Sequence, residues 1–167
     1  NGATPTKPST AQNSYTFDCW SPEISKVTGN QTYVATYIST INEYEITWIV
    51  DGNMTKETYK YGDMPEFKGS TDKEADAQFT YTFKGWTPSI VTVEKDATYT
   101  ATYDSTVNKY TVTWVVEDNT VVESYEYGST PVYPHGTPSK EANAQYTYTF
   151  THWTPSIATV TEDATYV

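Results

Sequence analysis

Arginine and leucine are both absent from the 167 residues, and cysteine occurs once. Each absence excludes something. Ten lysines face 21 acidic residues, for a formal net charge of -11. Without arginine forks or a positive field, the chain lacks the means to hold nucleic-acid phosphates. Without leucine, long helices lose their strongest apolar former. The single Cys19 rules out an internal disulfide and any paired-cysteine metal site. No stretch approaches the roughly 20 apolar residues of a membrane helix. No signal or transit stretch opens the chain, and an Asn1-Gly2 start is expected of a piece of a longer protein.

What fills the gap is threonine (32), tyrosine (16) and valine (14). β-Branched and aromatic side chains suit a pleated surface, so the expectation is a mostly β protein.

The text repeats. YTFDCWSPEI at 15–24 returns as YTFKGWTPSI at 81–90 and YTFTHWTPSI at 148–157. TYVATY at 32–37 returns at 98–103, YEITWIV at 44–50 at 110–116, and KETYKYG at 56–62 at 122–128. The period is about 66 residues. One extra residue enters in VYPHG at 132–136, which marks a loop. The expected organisation is the C-terminal half of a first copy (1–41), a complete second copy (42–107) and a nearly complete third (108–167).

Each full copy reads as four strands of an antiparallel sheet covered on one side. In the first, Tyr44, Ile46, Trp48 and Val50 alternate with Glu45 and Thr47. A turn at Asp51-Gly52-Asn53 leads to a second strand near Lys56–Tyr61. Thr71 and Glu74 have capping-box spacing, which allows at most one short helix. The third strand runs from Phe79 to Trp86 and the fourth from Ala97 to Tyr103. The short segments Ile38–Ile41 and Asp104–Val107 are expected to be the stiff linkers between copies.

The combination Y-x-V-T-W-V-V, Y-x-Y-G, T-P-x-K, Y-T-F-x-x-W-T-P-x-I and A-T-Y-T-A-T-Y resembles the Listeria–Bacteroides repeat, also called the internalin B-repeat, along the whole chain. The resemblance implies tandem small β-grasp-like units on extracellular bacterial surface proteins and adhesins, with no catalytic residues to carry over. Its opening aspartate-asparagine-glycine-glycine turn is replaced here by Asp51-Gly52-Asn53 and Asp118-Asn119, so the hairpin length is expected to differ.

Several residues invite a site. His152 is in phase with Gly85 and Cys19, and His135 has no counterpart, so a Cys/His pair would have to be assembled between different copies. No enzyme is expected, and no cofactor. The acidic residues are scattered and contain no calcium-loop spacing. Lys7, Lys73 and Lys140 are in phase in a polar loop, a poor place for an isopeptide bond. Trp48 and Trp114 share a face with valine and isoleucine and read as core. Trp20, Trp86 and Trp153 fall out of phase just before Ser-Pro or Thr-Pro. They close the core after a bulge, or stack on a ligand outside it.

Three functions follow as expectations. The first is a spacer or stalk in a bacterial cell-surface protein, packing only against neighbouring repeats. The second is a carbohydrate- or host-protein-binding module using exposed Tyr and Trp. The third is a fibre subunit whose incomplete repeats join other copies through open strand edges.

Overall fold

The computed structural model describes residues 3–167, so the Asn1-Gly2 start lies outside the described residues. Among them there are nine strands and no helix. The strands are β1 (Asn13–Ser21), β2 (Val34–Ile41), β3 (Glu43–Val50), β4 (Asn53–Lys60), β5 (Phe79–Thr87), β6 (Ala97–Val107), β7 (Lys109–Val116), β8 (Asn119–Glu126) and β9 (Ala164–Tyr166). They form a β1-β2 pair, a sheet ordered β4-β3-β6-β5 and a sheet ordered β8-β7-β9. Two compact units are present: Asn1–Thr71 with Phe83–Thr102, and Asp72–Thr82 with Tyr103–Val167.

In the first unit the alternation of β3 decides its packing. Ile46 and Trp48 are completely buried, while Glu45 faces solvent. Val93 and Tyr99 complete the buried cluster, with Tyr44, Tyr59, Phe67, Trp86, Ile90 and Ala97 packed against it. The β3-β4 hairpin closes through Asp51 (φ 47°) and Gly52 (φ 81°), both left-handed. Positive φ at both central residues gives a turn whose twist matches that of the strands.

The second unit repeats this arithmetic. Val112 and Trp114 are completely buried on β7, with Trp153, Val160 and Tyr166. Its hairpin turns at Glu117 (φ 54°), a residue that pays a steric cost there. The 132–136 segment lies outside every strand, as its extra residue requires.

Four expectations need correction. The sheets are not wholly antiparallel: β3 pairs β6 in parallel, Trp48 opposite Tyr99, and β7 pairs β9 in parallel, Trp114 opposite Tyr166. Thr71 and Glu74 cap no helix, because the loop is organised by the Asp76 carboxylate. That group accepts hydrogen bonds from the Gln78 and Phe79 N–H groups at 2.8 and 2.7 Å and from the Tyr81 hydroxyl at 2.7 Å. A side chain that satisfies these donors offers the backbone an alternative to helix. Ile38–Ile41 and Asp104–Val107 are strand residues rather than linkers. Finally, the third-copy stretch 146–153 forms no strand. In β1 the equivalent Phe17 pairs with Tyr37. A reciprocal Thr154–Val167 backbone pair follows this stretch, at 2.9 and 2.8 Å.

Candidate functional site

The three in-phase tryptophans meet different fates. Trp86 packs on Trp48, Phe67 and Phe83 with ring centroids 4.8, 5.1 and 5.6 Å away. Trp153 packs on Trp114, Tyr133 and Phe150 at 4.8, 5.1 and 5.3 Å, and is buried. Trp20, half-buried like Trp86, meets Phe17 edge-on at 5.7 Å. The register of β1 slips between Phe17 and Trp20, which re-aims the tryptophan relative to the alternation before it.

Around Trp20 lies a cleft of ≈ 480 Å³, lined by Ala3, Thr4, Pro5, Phe17, Ile24 and Tyr33 besides Trp20 itself. Ile24 is 64% exposed. A second, open cleft of ≈ 310 Å³ in the other unit is lined by Val116, Lys140, Phe150, His152 and Trp153 among others.

Tyr33 is the only titratable residue in the lining of the Trp20 cleft, whereas Glu117, Lys140, Tyr148 and His152 line the second, where Lys140 is paired with Glu117. Cys19 is exposed, its Sγ 3.1 Å from Thr36 Oγ1 and 3.4 Å from Asp18 Oδ2. His135 packs edge-on to Tyr133 at 5.4 Å. No group of three or more His, Cys, Asp or Glu able to hold a metal occurs among the described residues. The in-phase lysines sit over tyrosine rings: Lys7 over Tyr15 at 3.8 Å, Lys73 over Tyr81 at 4.7 Å and Lys140 over Tyr148 at 4.9 Å. For Lys7 and Lys73 the contact fastens the preceding loop to a strand residue, Tyr15 of β1 and Tyr81 of β5, whereas Tyr148 lies in no strand. Lys140 also pairs with Glu117 at 2.9 Å, which raises its pKa above 10.5.

Other in-phase residues, not singled out by composition or motif, do more. Asn42 follows Ile41 at the end of β2 and precedes Glu43 at the start of β3, so a single residue joins the two strands. Its Nδ2 donates to the Thr10 and Ala11 carbonyls at 2.8 and 2.9 Å, its N–H donates to Gln12 O at 2.9 Å, and Tyr44 Oη donates to Ala11 O at 2.6 Å. Asn108 repeats this between β6 and β7. Its Nδ2 reaches Asp76 O and Ala77 O at 2.7 and 3.2 Å, and Tyr110 Oη reaches Ala77 O at 2.7 Å. Asp96 and Asp163 likewise accept from the Glu45 and Thr111 N–H groups at 2.8 and 2.7 Å. The signal for all of these was identity in phase at polar positions.

Tyr59 and Tyr125 form a further matched pair. Their hydroxyls lie 2.6 Å from the Glu57 and Glu123 carboxylates, and 2.9 and 2.8 Å from the Glu66 and Val132 carbonyls. Burial first, and then the neighbouring carboxylate, push both hydroxyls above their ordinary pKa of 10.0. The folded state therefore keeps these protons after the unfolded chain has lost them. The stability they contribute is complete below about pH 10 and is lost as pH rises through the folded values. Urea unfolding at a series of alkaline pH values is expected to show a shallower decline in a Tyr59→Phe/Tyr125→Phe double variant. An unchanged slope would refute the assignment.

No helix among the described residues is long and apolar enough to cross a membrane. No family model, curated protein or solved structure matches the chain.

Proposed function

We propose that the chain is a non-catalytic spacer from an extracellular bacterial surface protein or adhesin, built of tandem β-grasp-like copies with boundaries near 42 and 108. One observation carries this reading: both copy junctions are single asparagines clamped onto the preceding loop by the same set of hydrogen bonds. A one-residue joint whose side chain is already committed has little freedom to flex, which is the property a spacer needs and a binding loop does not. The chemistry points the same way. The surface is acidic and free of arginine, and the two small cores take 13 of the 26 aromatic residues, all five tryptophans but Trp20 among them. The resemblance to the internalin B-repeat supports the location and the cell-surface role.

The test is solution scattering with in-line light scattering over a concentration series. The expected result is a monomer whose distance distribution has the long tail of an elongated particle. A compact profile, or one that changes on replacing both Asn42 and Asn108 by Gly no more than on replacing two surface residues, would overturn the spacer reading.

A further inference from the structure

We propose that the third copy carries a binding site for a neutral sugar, in the cleft between the end of the β7-β8 hairpin and the loop 132–139. The cleft has a volume of ≈ 420 Å³. That lies within the range of small-ligand sites and has room for roughly one or two sugar rings. Both walls belong to the third copy's own hairpin and crossover loop. Six lining side chains carry hydrogen-bonding groups: Asn119, Thr120, Tyr133, His135, Thr137 and Ser139. None of those groups is hydrogen-bonded among the described residues. Together they offer hydroxyls, an amide and an imidazole, each side chain able both to donate and to accept. Val116 and Val121 add apolar surface, and the half-buried Tyr133 lends an aromatic ring. A sugar ring divides its surface in the same way, with C–H groups across its faces and hydroxyls around its rim.

The second copy lacks this chemistry at the in-phase positions. It has Met54 for Thr120, Phe67 for Tyr133 and Asp72 for Ser139, and no counterpart of His135. The one extra residue of the third copy therefore falls in the loop that builds the cleft, and loops are where binding residues concentrate. The walls are fixed before a ligand arrives. Tyr125 Oη donates to Val132 O at 2.8 Å and accepts from Val132 N–H at 3.3 Å, which pins one end of the loop to β8. The Lys140–Glu117 pair at 2.9 Å ties the other end to the hairpin turn. The Tyr133 ring is wedged against Trp114 and Trp153 at 5.7 and 5.1 Å, and His135 leans edge-on against it at 5.4 Å. A site held in place this way gives up less ordering entropy on binding. Charge selects the ligand. With histidine neutral, no lining residue is charged, and the nearby Lys140 is already committed to Glu117. Asp118 stands beside Asn119, so a carboxylated or phosphorylated sugar meets a negative charge and finds no free cation.

The probes are lactose, maltose, cellobiose and mannobiose, with sialyllactose as the anionic counterpart. Each is titrated into the isotope-labelled full-length chain and followed by amide and side-chain chemical shifts. At least one neutral disaccharide is expected to give saturable shifts centred on Asn119, Thr120, Tyr133 and His135, with a dissociation constant on the order of 1 mM. The in-phase Asn53, Met54 and Phe67 are expected to stay unperturbed, and sialyllactose is expected not to bind. Tyr133→Phe removes only the hydroxyl, and Phe67 already fills that place in the second copy. It is expected to weaken binding by about three- to tenfold. Replacing 132–136 by the 66–69 sequence is expected to abolish binding while the β7 and β8 amides keep their shifts. No saturation by any neutral probe at about 50 mM would overturn the inference. So would shifts centred on another surface, equal shifts at the second copy, undiminished binding by a Tyr133→Phe/His135→Ala variant, or sialyllactose binding as well as lactose. None of these outcomes bears on the rigidity of the Asn42 and Asn108 joints, so the spacer reading stands or falls separately.

Discussion

Replacing Trp48 by alanine is expected to cost the first compact unit about 3–5 kcal/mol, the range for removing a buried tryptophan and leaving a cavity. Trp48 is completely buried and is the common neighbour of the cluster, with rings at 4.8 Å (Trp86), 5.1 Å (Tyr99) and 5.5 Å (Phe67). Phe67 and Trp86 also touch each other at 5.1 Å, but Trp48 is the ring that all three partners share. For a core this small, a loss of that size is comparable to the whole folding free energy. Urea unfolding read at amides of β3, β4 and β6 is the measurement. Trp114→Ala makes the same demand of the other unit, where Trp153, Tyr166 and Tyr133 surround the ring. A loss under about 1 kcal/mol in either variant would mean that the clusters do not hold these sheets together.

The second large effect is expected at Asn108. Its side chain donates to Asp76 O and Ala77 O and accepts from Thr80 Oγ1 at 2.7 Å, while its backbone donates to Gln78 O and accepts from Tyr127 N–H at 2.8 and 2.9 Å. Alanine keeps the backbone pair and abandons the other three bonds, a cost of about 1–3 kcal/mol. Aspartate is the sharper probe. It matches the asparagine in shape but cannot donate, so it would set a carboxylate against two carbonyl oxygens. Asn108→Asp is therefore expected to be worse than Asn108→Ala, and to speed hydrogen exchange at Asn108 and Tyr127. If the aspartate variant were as stable as the native chain, the side-chain donation would carry no weight. Asn42 is expected to behave alike, since its Nδ2 serves the Thr10 and Ala11 carbonyls.

Period-two alternation made the buried faces of β3 and β7 legible from residue types alone, because only one face of each strand can be apolar. The Asp51-Gly52 turn was legible because few residues accept left-handed backbone. Alternation reports which face is buried, however, and not which strand lies beside it. The parallel pairing of β3 with β6 and of β7 with β9 was invisible for that reason. The capping-box spacing of Thr71 and Glu74 misled because it says nothing of the competing bonds at Asp76. The tryptophans before proline were ambiguous because a register slip resets the alternation between Phe17 and Trp20, so parity counted from Phe17 loses its meaning. Of the candidate site, its lining residues could be picked out by their phase. The exposure that separates Tyr33 from Tyr99 and Tyr166 depends on which hairpin covers them, and that is a tertiary fact.

The loop turn before the third strand is built by a different residue in each copy. Thr10 Oγ1 accepts from Asn13 N–H at 3.0 Å, Asp76 Oδ1 from Gln78 and Phe79, and Asn143 Oδ1 from Gln145 and Tyr146 at 2.9 and 2.8 Å. The geometry is shared, yet only the aspartate can take up a proton. The Tyr81 hydroxyl and then the Phe79 N–H hold its carboxyl below the ordinary 3.8. Its contribution is present above that value and fades as pH falls through the lower folded one. Acid thus addresses one turn by name and leaves its two equivalents untouched, so near-identical neighbours need not loosen together.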